Sequence, residues 1–146
     1  MKLWCGALVL LALAGPAAGE ERSLEAYLRG FGYAARTEMK ISSKELVPLL
    51  QSGQAQLVDI RFPEEVAAWR MGFSTNIPLP ELPDRLGELD RDKLIVTACP
   101  HKDRSAIARV YLETQGFRAK YLEDGLLGLA EHLRGDRARD FVQGAQ

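Results

Sequence analysis

A cysteine and an arginine, Cys99 and Arg104, stand five positions apart in the stretch "LIVTACPHKDRSAIAR", a spacing that suits nucleophilic chemistry. The apolar residues before Cys99 predict a buried strand, and the residues after Arg104 have the pattern of a helix. The backbone N–H groups of a short turn between a strand and a helix tend to point inward and bind anions. The positive end of the helix and the planar guanidinium of Arg104 add to this effect. All of these groups favour a thiolate at Cys99, so the sequence predicts a nucleophile at this position.

The remaining residues of this turn are candidates for stabilising an anion on the cysteine: Pro100, His101, Lys102, Asp103, Arg104 and Ser105. Ser105 is expected to donate a hydrogen bond or to cap the helix. Asp103 either points inward, which raises the energy of a thiolate, or caps the helix. His101 either acts on Cys99 near neutral pH or is an exposed loop residue. Pro100 has no N–H, so one donor of the turn is missing.

The amino-acid composition and charge of the chain disfavour some classes of binding partner. The chain has 146 residues with a formal net charge of -1, and 47% of them are hydrophobic, as expected for a globular domain. It has no basic stripe interleaved with aromatic residues, which disfavours nucleic acid as a partner. Cys99, His101 and His132 lack the number and spacing of ligands that a metal site needs, so we expect no metal. Nucleophilic chemistry at Cys99 needs no organic cofactor, so we expect none.

The first 19 residues have the layout of a secretory signal peptide. Lys2 is followed by an apolar run over 3–14 and then by small residues up to Gly19. We expect cleavage after Gly19, with Ala12-Leu13-Ala14 as a second site and an uncleaved membrane anchor as the alternative, although the apolar run is short for a bilayer span. Cleavage leaves Cys99 as the only cysteine of an exported protein, which cannot form an internal disulfide.

Strand and helix signals alternate along the rest of the chain. The strands are predicted within 39–42, 55–61, 75–79, 92–99 and 119–125, and the helices within 20–40, 44–53, 63–70, 80–89, 103–117 and 126–135. This order is typical of an α/β fold with a mostly parallel central sheet and helices on both faces, in which ligands bind beyond the carboxyl ends of the strands. We divide the chain into a signal peptide (1–19), an N-terminal helical extension (20–40) and one domain (41–146).

Helical spacing also predicts which side chains face inward. The N-terminal helix is predicted to pack through one face: Leu24, Tyr27, Leu28 and Phe31. The helix after Cys99 is predicted to bury a second set: Ile107, Val110, Tyr111 and Thr114. Asp59 and Arg61 are expected to brace a strand end near the turn. The residues after Gly135 are predicted to form a polar tail.

Four stretches together resemble the single-domain, rhodanese-like sulfurtransferases: "LVDIRFPEEVAAW", "NIPLPEL", "KLIVTACPHKDRSAIARVYLETQGF" and "KYLEDGL". The resemblance extends from Ile41 to Arg134. It implies that Cys99 accepts a sulfane sulfur and carries it as a persulfide, which the loop from Pro100 to Arg104 stabilises. The Gly-His-Ile-Pro-Gly stretch of many family members is replaced by "WRMGFST", so one wall of the pocket differs. Trp69 either lines this wall or, as we expect, lies in the core. The family also favours a bacterial origin, which together with the signal peptide predicts a periplasmic protein.

The resemblance implies a thiosulfate-type sulfurtransferase. It would take sulfur from a small sulfur-containing anion, such as thiosulfate or polysulfide, and pass it to a thiophilic acceptor, a thiol or a protein. Lys102 either attracts such donors or faces water, and the membrane is a partner only if the N-terminal segment stays uncleaved. The alternative is a non-enzymatic persulfide carrier or an anion-binding or partner-binding module. A phosphatase is disfavoured because four residues separate Cys99 and Arg104, where similar cysteine phosphatases have five.

Overall fold

The computed structural model describes residues 19–144 of the chain. The predicted signal peptide therefore lies almost entirely outside the described residues, and export to the periplasm stays a prediction. Among the helices that are described, none combines the length and apolar character needed to cross a bilayer.

Five strands and seven α-helices form in this range. The strands are β1 (Lys40–Ile41), β2 (Ala55–Asp59), β3 (Thr75–Asn76), β4 (Leu94–Ala98) and β5 (Ala119–Leu122). The helices are α1 (Leu24–Arg29), α2 (Tyr33–Glu38), α3 (Ser43–Gln51), α4 (Pro63–Ala68), α5 (Asp103–Thr114), α6 (Gly125–His132) and α7 (Asp136–Gly144). Two 3₁₀ helices, Leu79–Asp84 and Leu86–Glu88, precede β4, where the sequence predicted a helix or helical turn.

The strands form a single parallel sheet in the order β1-β5-β4-β2-β3. In the register of the two most central strands, Asp59 of β2 is opposite Ala98 of β4. Both strands end at the same edge, so Cys99, which follows β4, lies next to the residues that follow β2. The predicted α/β fold with a mostly parallel sheet is confirmed.

Each face of the sheet has its own hydrophobic cluster. One cluster joins the sheet to α5 and the 3₁₀ helices: Val58, Ile60, Ile77, Leu82, Leu89, Ile95, Cys99, Ala108, Leu112, Phe117 and Ala119. The other joins it to α3 and α6: Ile41, Leu46, Ala55, Leu57, Val96, Ala98, Leu122, Leu126 and Leu129. Because alternate residues of a strand point to opposite faces, Cys99 belongs to the α5 face and Ala98 to the α6 face.

Local signals account for the starts of two helices. The Ser42 hydroxyl accepts a bond from the Glu45 N–H, and the Glu45 carboxylate accepts one from the Ser42 N–H, so the predicted capping box begins α3. Pro63 is the first residue of α4, as predicted, because its fixed φ suits a helix start and its missing N–H has no partner there.

The predicted inward face of α5 is wrong at Ile107, whose side chain is 61% exposed. The buried stripe is instead Ser105, Ala108, Arg109 and Leu112, with Thr114 buried as predicted. Arg109 lies inside because its guanidinium donates to the Ala119 carbonyl and the Tyr27 hydroxyl. These bonds compensate the burial of a charged side chain, so the more polar stripe faces the sheet.

The single N-terminal helix that was predicted is two short helices in the structure. Gly30 is the C-cap of α1, and α2 begins at Tyr33. Tyr27 alone of the predicted inward face is buried. Three others remain largely exposed: Leu24, Leu28 and Phe31. This prediction is therefore wrong except at Tyr27, which the buried Arg109 holds against α5.

The predicted polar tail is also wrong, because residues 136–144 form α7. Phe141 is the buried residue of this helix, and its ring centre lies 4.7 Å from that of Phe73. A single aromatic anchor in a polar segment is too weak a periodic signal to predict a helix from sequence.

The corrected face of α5 gives the first testable prediction. Leu112→Ala is expected to lower the free energy of unfolding by about 2–5 kcal/mol, because it opens a cavity in the core. Ile107→Gln, the matched control on the same helix, is expected to change it by about 0.5 kcal/mol or less. Urea unfolding measures both, and a large loss at Ile107 would contradict this packing.

Candidate active site

Cys99 is a free thiol with only 2% of its surface exposed, at the carboxyl end of β4. Its Sγ lies 3.6 Å from the Ser105 Oγ, to which the thiol donates. The Ser105 hydroxyl donates in turn to the Lys102 carbonyl over 2.9 Å, and the Thr97 hydroxyl donates to the Ser105 carbonyl over 2.8 Å. These bonds tie the cysteine and β4 to the first turn of α5.

The loop after Cys99 rests on the N-terminus of α6. The Leu126 N–H donates to the Cys99 carbonyl over 2.9 Å, and the Leu127 N–H donates to the Pro100 carbonyl over 3.3 Å. The peptide bonds are trans, so the His101 N–H points opposite to the Pro100 carbonyl and away from α6. The Cys99 side chain lies on that same side of the sheet, away from α6. The loop therefore turns the His101 N–H, which has no hydrogen-bond partner among the described residues, towards the face that holds the sulfur.

Gly125 makes this contact between the loop and α6 sterically feasible. A Cβ at this position would lie 2.3 Å from the carbonyl oxygens of both Pro100 and His101, and the residue has a φ of +66°. A side chain would therefore clash with the loop and also strain the backbone. Glycine at this position allows the first turn of α6 to approach the loop backbone directly.

Arg104 binds a carboxylate of the chain itself. Its Nη1 and Nη2 donate to the Glu65 Oε2 and Oε1 over 2.7 and 2.8 Å, a bidentate pair between α5 and α4. The Glu65 Oε2 also accepts from the Phe62 N–H over 3.1 Å. The predicted positive charge beside Cys99 is thus present, but it is paired with a negative one.

The two charges of this pair shift each other's pKa. The hydrogen bonds from Arg104 lower the pKa of Glu65 from 4.5 to about 2, so Glu65 is ionised throughout the physiological range. The Glu65 carboxylate raises the pKa of Arg104, and the charges of Cys99 and Asp59 act in the same direction.

A second ion pair lies at the end of β2 and is fully buried. The Arg61 Nη2 lies 2.6 Å from the Asp59 Oδ2 and donates to the Trp69 carbonyl over 2.9 Å. The Trp69 ring stacks on the guanidinium at 4.2 Å, and the Asn76 amide donates to the carbonyls of Asp59 and Arg61. The Arg61 Nη1 is buried without a hydrogen-bond partner among the described residues. This arrangement agrees with the interpretation that Asp59 and Arg61 brace the strand end.

The other residues of the predicted site lie at the surface of the loop. His101 and Lys102 are exposed, as is Asp103. Asp103 is the first residue of α5, and Lys102 is at the N-cap position without a side-chain cap, so the alternative that Asp103 caps the helix is wrong. Within residues 19–144 no cluster of three or more His, Cys, Asp or Glu side chains is arranged to hold a metal ion.

Sequence reasoning missed two residues that shape this site, Glu65 and Gly125. Glu65 has the local signal of a third helical residue whose carboxylate accepts from the backbone before the helix. Gly125 stands in a Glu-Asp-Gly turn after β5. Neither signal contains information about the loop after Cys99, because their contacts with it depend on the tertiary arrangement of α4, α5 and α6.

Comparison with known proteins places this geometry in a family. A model described as "Rhodanese-like domain" matches residues 42–132. The thiosulfate sulfurtransferase GlpE of Pseudomonas syringae is 34% identical over 89 residues, which cover 61% of this chain and 84% of GlpE. The HTH-type transcriptional regulator Rv0324 of Mycobacterium tuberculosis is 38% identical over 96 residues, which cover 62% of this chain. The chain spans 41% of that regulator, less than half of its length.

Solved structures give the same fold. The human single-domain sulfurtransferase TSTD1 superimposes with a TM-score of 0.56 at 26% identity, over 64% of this chain and 96% of TSTD1. The reduced CoADR-RHD of Bacillus anthracis gives a TM-score of 0.60 at 30% identity, over 69% of this chain and 19% of that larger protein.

The contact between Gly125 and the loop gives a testable prediction. Gly125→Ala is expected to lower the free energy of unfolding by about 3 kcal/mol or more, since it adds a clash to the strain of a positive φ. Gly135→Ala is the matched control, because Gly135 has a φ of +57° and open space around it. The control is expected to cost about 1–2 kcal/mol. Equal losses in urea unfolding would show that the loop does not depend on this contact.

The low pKa of Glu65 predicts a pH dependence. A carboxyl whose pKa falls on folding stabilises the protein fully above its ordinary value of 4.5, and this stabilisation is lost as the pH falls towards 2. The difference in unfolding free energy between the wild type and Glu65→Gln is therefore expected to shrink between pH 4.5 and 2. Urea unfolding at a series of pH values measures it, and a difference independent of pH would contradict the ion pair with Arg104.

Proposed function

The chain belongs to the rhodanese-like domain family, and from that premise we propose that it is a sulfurtransferase that carries sulfane sulfur as a persulfide on Cys99. The main support is the position of Cys99: a buried free thiol at the carboxyl end of a central parallel strand, next to a loop that rests on α6. Ligands of open α/β sheets bind at this edge.

The first half of the reaction loads the cysteine. The Cys99 thiolate attacks the outer sulfur of a donor such as thiosulfate, a bond forms between the two sulfurs, and the S–S bond of the donor breaks. Sulfite leaves with the electron pair, and Cys99 holds a persulfide anion. No external oxidant or reductant is needed, because the electrons move only between the bonds that form and break.

The second half unloads the cysteine. A thiophilic acceptor such as cyanide or a thiolate attacks the terminal sulfur of the persulfide, and the Cys99 thiolate leaves as it was at the start. We infer that the N–H groups on the sulfur side of the loop and the N-terminus of α5 stabilise the negative charge at the sulfur in both steps. Ser105 can rotate its hydroxyl from the Lys102 carbonyl to the sulfur when Cys99 is ionised.

The size of the site favours small reacting groups. Only 2% of the Cys99 surface is exposed, so little of the sulfur is accessible to a donor or acceptor. Four residues separate Cys99 from Arg104, and a ring of this size suits a sulfur atom better than a tetrahedral phosphoryl group.

Two observations support the second candidate function, a module that carries persulfide or binds an anion for a partner protein. Arg104 is already paired with Glu65, and Pro100 lacks an N–H. The loop therefore offers fewer hydrogen-bond donors to an anion than a loop with an unpaired arginine and an N–H at every position. Such a module would load sulfur but transfer it slowly to small acceptors.

The mass of the intact protein tests the proposed function. After exposure to thiosulfate or polysulfide, we expect the addition of one sulfur atom, removal of that atom by cyanide with release of thiocyanate, and no addition in Cys99→Ser. Hydrolysis of aryl phosphates is expected to be absent. An unchanged mass, while a thiol-alkylating reagent still labels Cys99, would exclude persulfide formation. If sulfur is added to Cys99 but neither cyanide nor small thiols remove it, the result would favour the carrier function.

A further inference from the structure

Two ion pairs lie around Cys99, and the opposite charges within each pair cancel. Arg104 is bonded to Glu65 through both of its terminal nitrogens, and Arg61 is bonded to Asp59. When Cys99 is ionised, these five groups together have one net negative charge. Stabilisation of an anion at the sulfur therefore falls to the backbone N–H groups and the helix N-terminus, which act as partial charges.

Glu65 is held firmly in this pairing. Its carboxylate accepts two hydrogen bonds from Arg104 and one from the Phe62 N–H at the start of α4. Release of Arg104 towards a bound anion would break a bidentate, charge-assisted pair. The pair is about one-third exposed, so solvent screens it only in part.

This charge balance acts differently on donors of different charge. A thiolate that approaches dianionic thiosulfate meets about twice the repulsion that it meets from a monoanion, since Coulomb energy is proportional to the product of the charges. A free Arg104 would offset this repulsion, whereas an Arg104 neutralised by Glu65 offsets little of it. The site therefore favours a donor with a single negative charge.

The surface around the two ion pairs favours an apolar donor. Two side chains next to these pairs are exposed hydrophobic groups: Phe62 at 48% and Trp69 at 37%. Phe62 lies beneath the Arg104 guanidinium, and Trp69 stacks on Arg61. Such a surface can contact the organic group of a persulfide, and the sulfonate group of thiosulfate gains nothing from it.

We propose that Glu65 is a specificity-determining residue, which neutralises Arg104 so that the site prefers organic persulfide anions, R–S–S⁻, over thiosulfate. This inference rests on the proposed function. In the step, the Cys99 thiolate attacks the terminal sulfur of R–S–S⁻, the S–S bond of the donor breaks, and R–S⁻ leaves with the electron pair. One negative charge on each reactant becomes one on each product.

The test compares two donors across three variants. The donors are thiosulfate and benzyl persulfide, a monoanion with an uncharged apolar group, and kcat/KM is measured with cyanide as the acceptor. The wild type is expected to prefer benzyl persulfide. Glu65→Gln is expected to shift the ratio towards thiosulfate by about tenfold at low ionic strength, because it removes the negative charge that neutralises Arg104. The shift is expected to shrink in high salt.

Two controls separate charge from structure. Glu64→Gln removes a charge from the exposed neighbouring position of α4 and is expected to leave the ratio within twofold. Glu65→Asp keeps the charge and is expected to keep the preference of the wild type. Equal losses for both donors in Glu65→Gln, or an unchanged ratio, would overturn the proposal.

The wild type alone provides a readout that does not depend on the folding of any variant. If the site is net negative, rising ionic strength increases kcat/KM for thiosulfate more than for benzyl persulfide, because salt screens the stronger repulsion. A fall for thiosulfate would show a net positive site and would overturn the proposal. Failure of both donors to add sulfur to Cys99, seen in the intact mass, would instead refute the proposed function, and the role of Glu65 in donor choice with it.

Discussion

The site depends on the docking of one loop backbone against the first turn of α6. The Cys99 and Pro100 carbonyls accept bonds from the Leu126 and Leu127 N–H groups, and this contact is sterically feasible because Gly125 has no Cβ. A trans peptide bond fixes the direction of the N–H group once that of the carbonyl is fixed. The docking therefore determines which face of the loop accepts hydrogen bonds and which face donates them to an anion on Cys99.

The electrostatic character of the site follows from the same arrangement. Full charges close to the sulfur are paired within the chain, Arg104 with Glu65 and Arg61 with Asp59. The Arg104–Glu65 pair links α5 to α4, whereas the Arg61–Asp59 pair lies within the segment at the end of β2. Because the pairs leave little net positive charge, backbone dipoles would be the main stabilisers of the proposed persulfide, and these act on a small anion without selecting for a second charge.

The sequence predicted the features that depend on local patterns. The apolar run of β4, the turn after Cys99 and the capping box at Ser42 are confirmed, since each is encoded within a few adjacent residues. The buried face of α5 and the pairing of Arg104 were not predicted, because they depend on partners distant in the sequence: Tyr27 for Arg109 and Glu65 for Arg104. Helical periodicity identifies apolar stripes. It cannot predict that a more polar stripe is buried when the hydrogen-bond partners of that stripe come from distant parts of the chain.

In the proposed mechanism the loop backbone holds the transferred sulfur while Arg104 stays bound to Glu65. The most direct test is a crystal structure of the protein after treatment with a sulfur donor. We expect one additional atom bonded to the Cys99 Sγ, within hydrogen-bond distance of N–H groups of the loop, with the Arg104–Glu65 pair intact. An Arg104 side chain that has left Glu65 to bind the terminal sulfur, or density for the donor sulfur at a site other than Cys99, would contradict this mechanism.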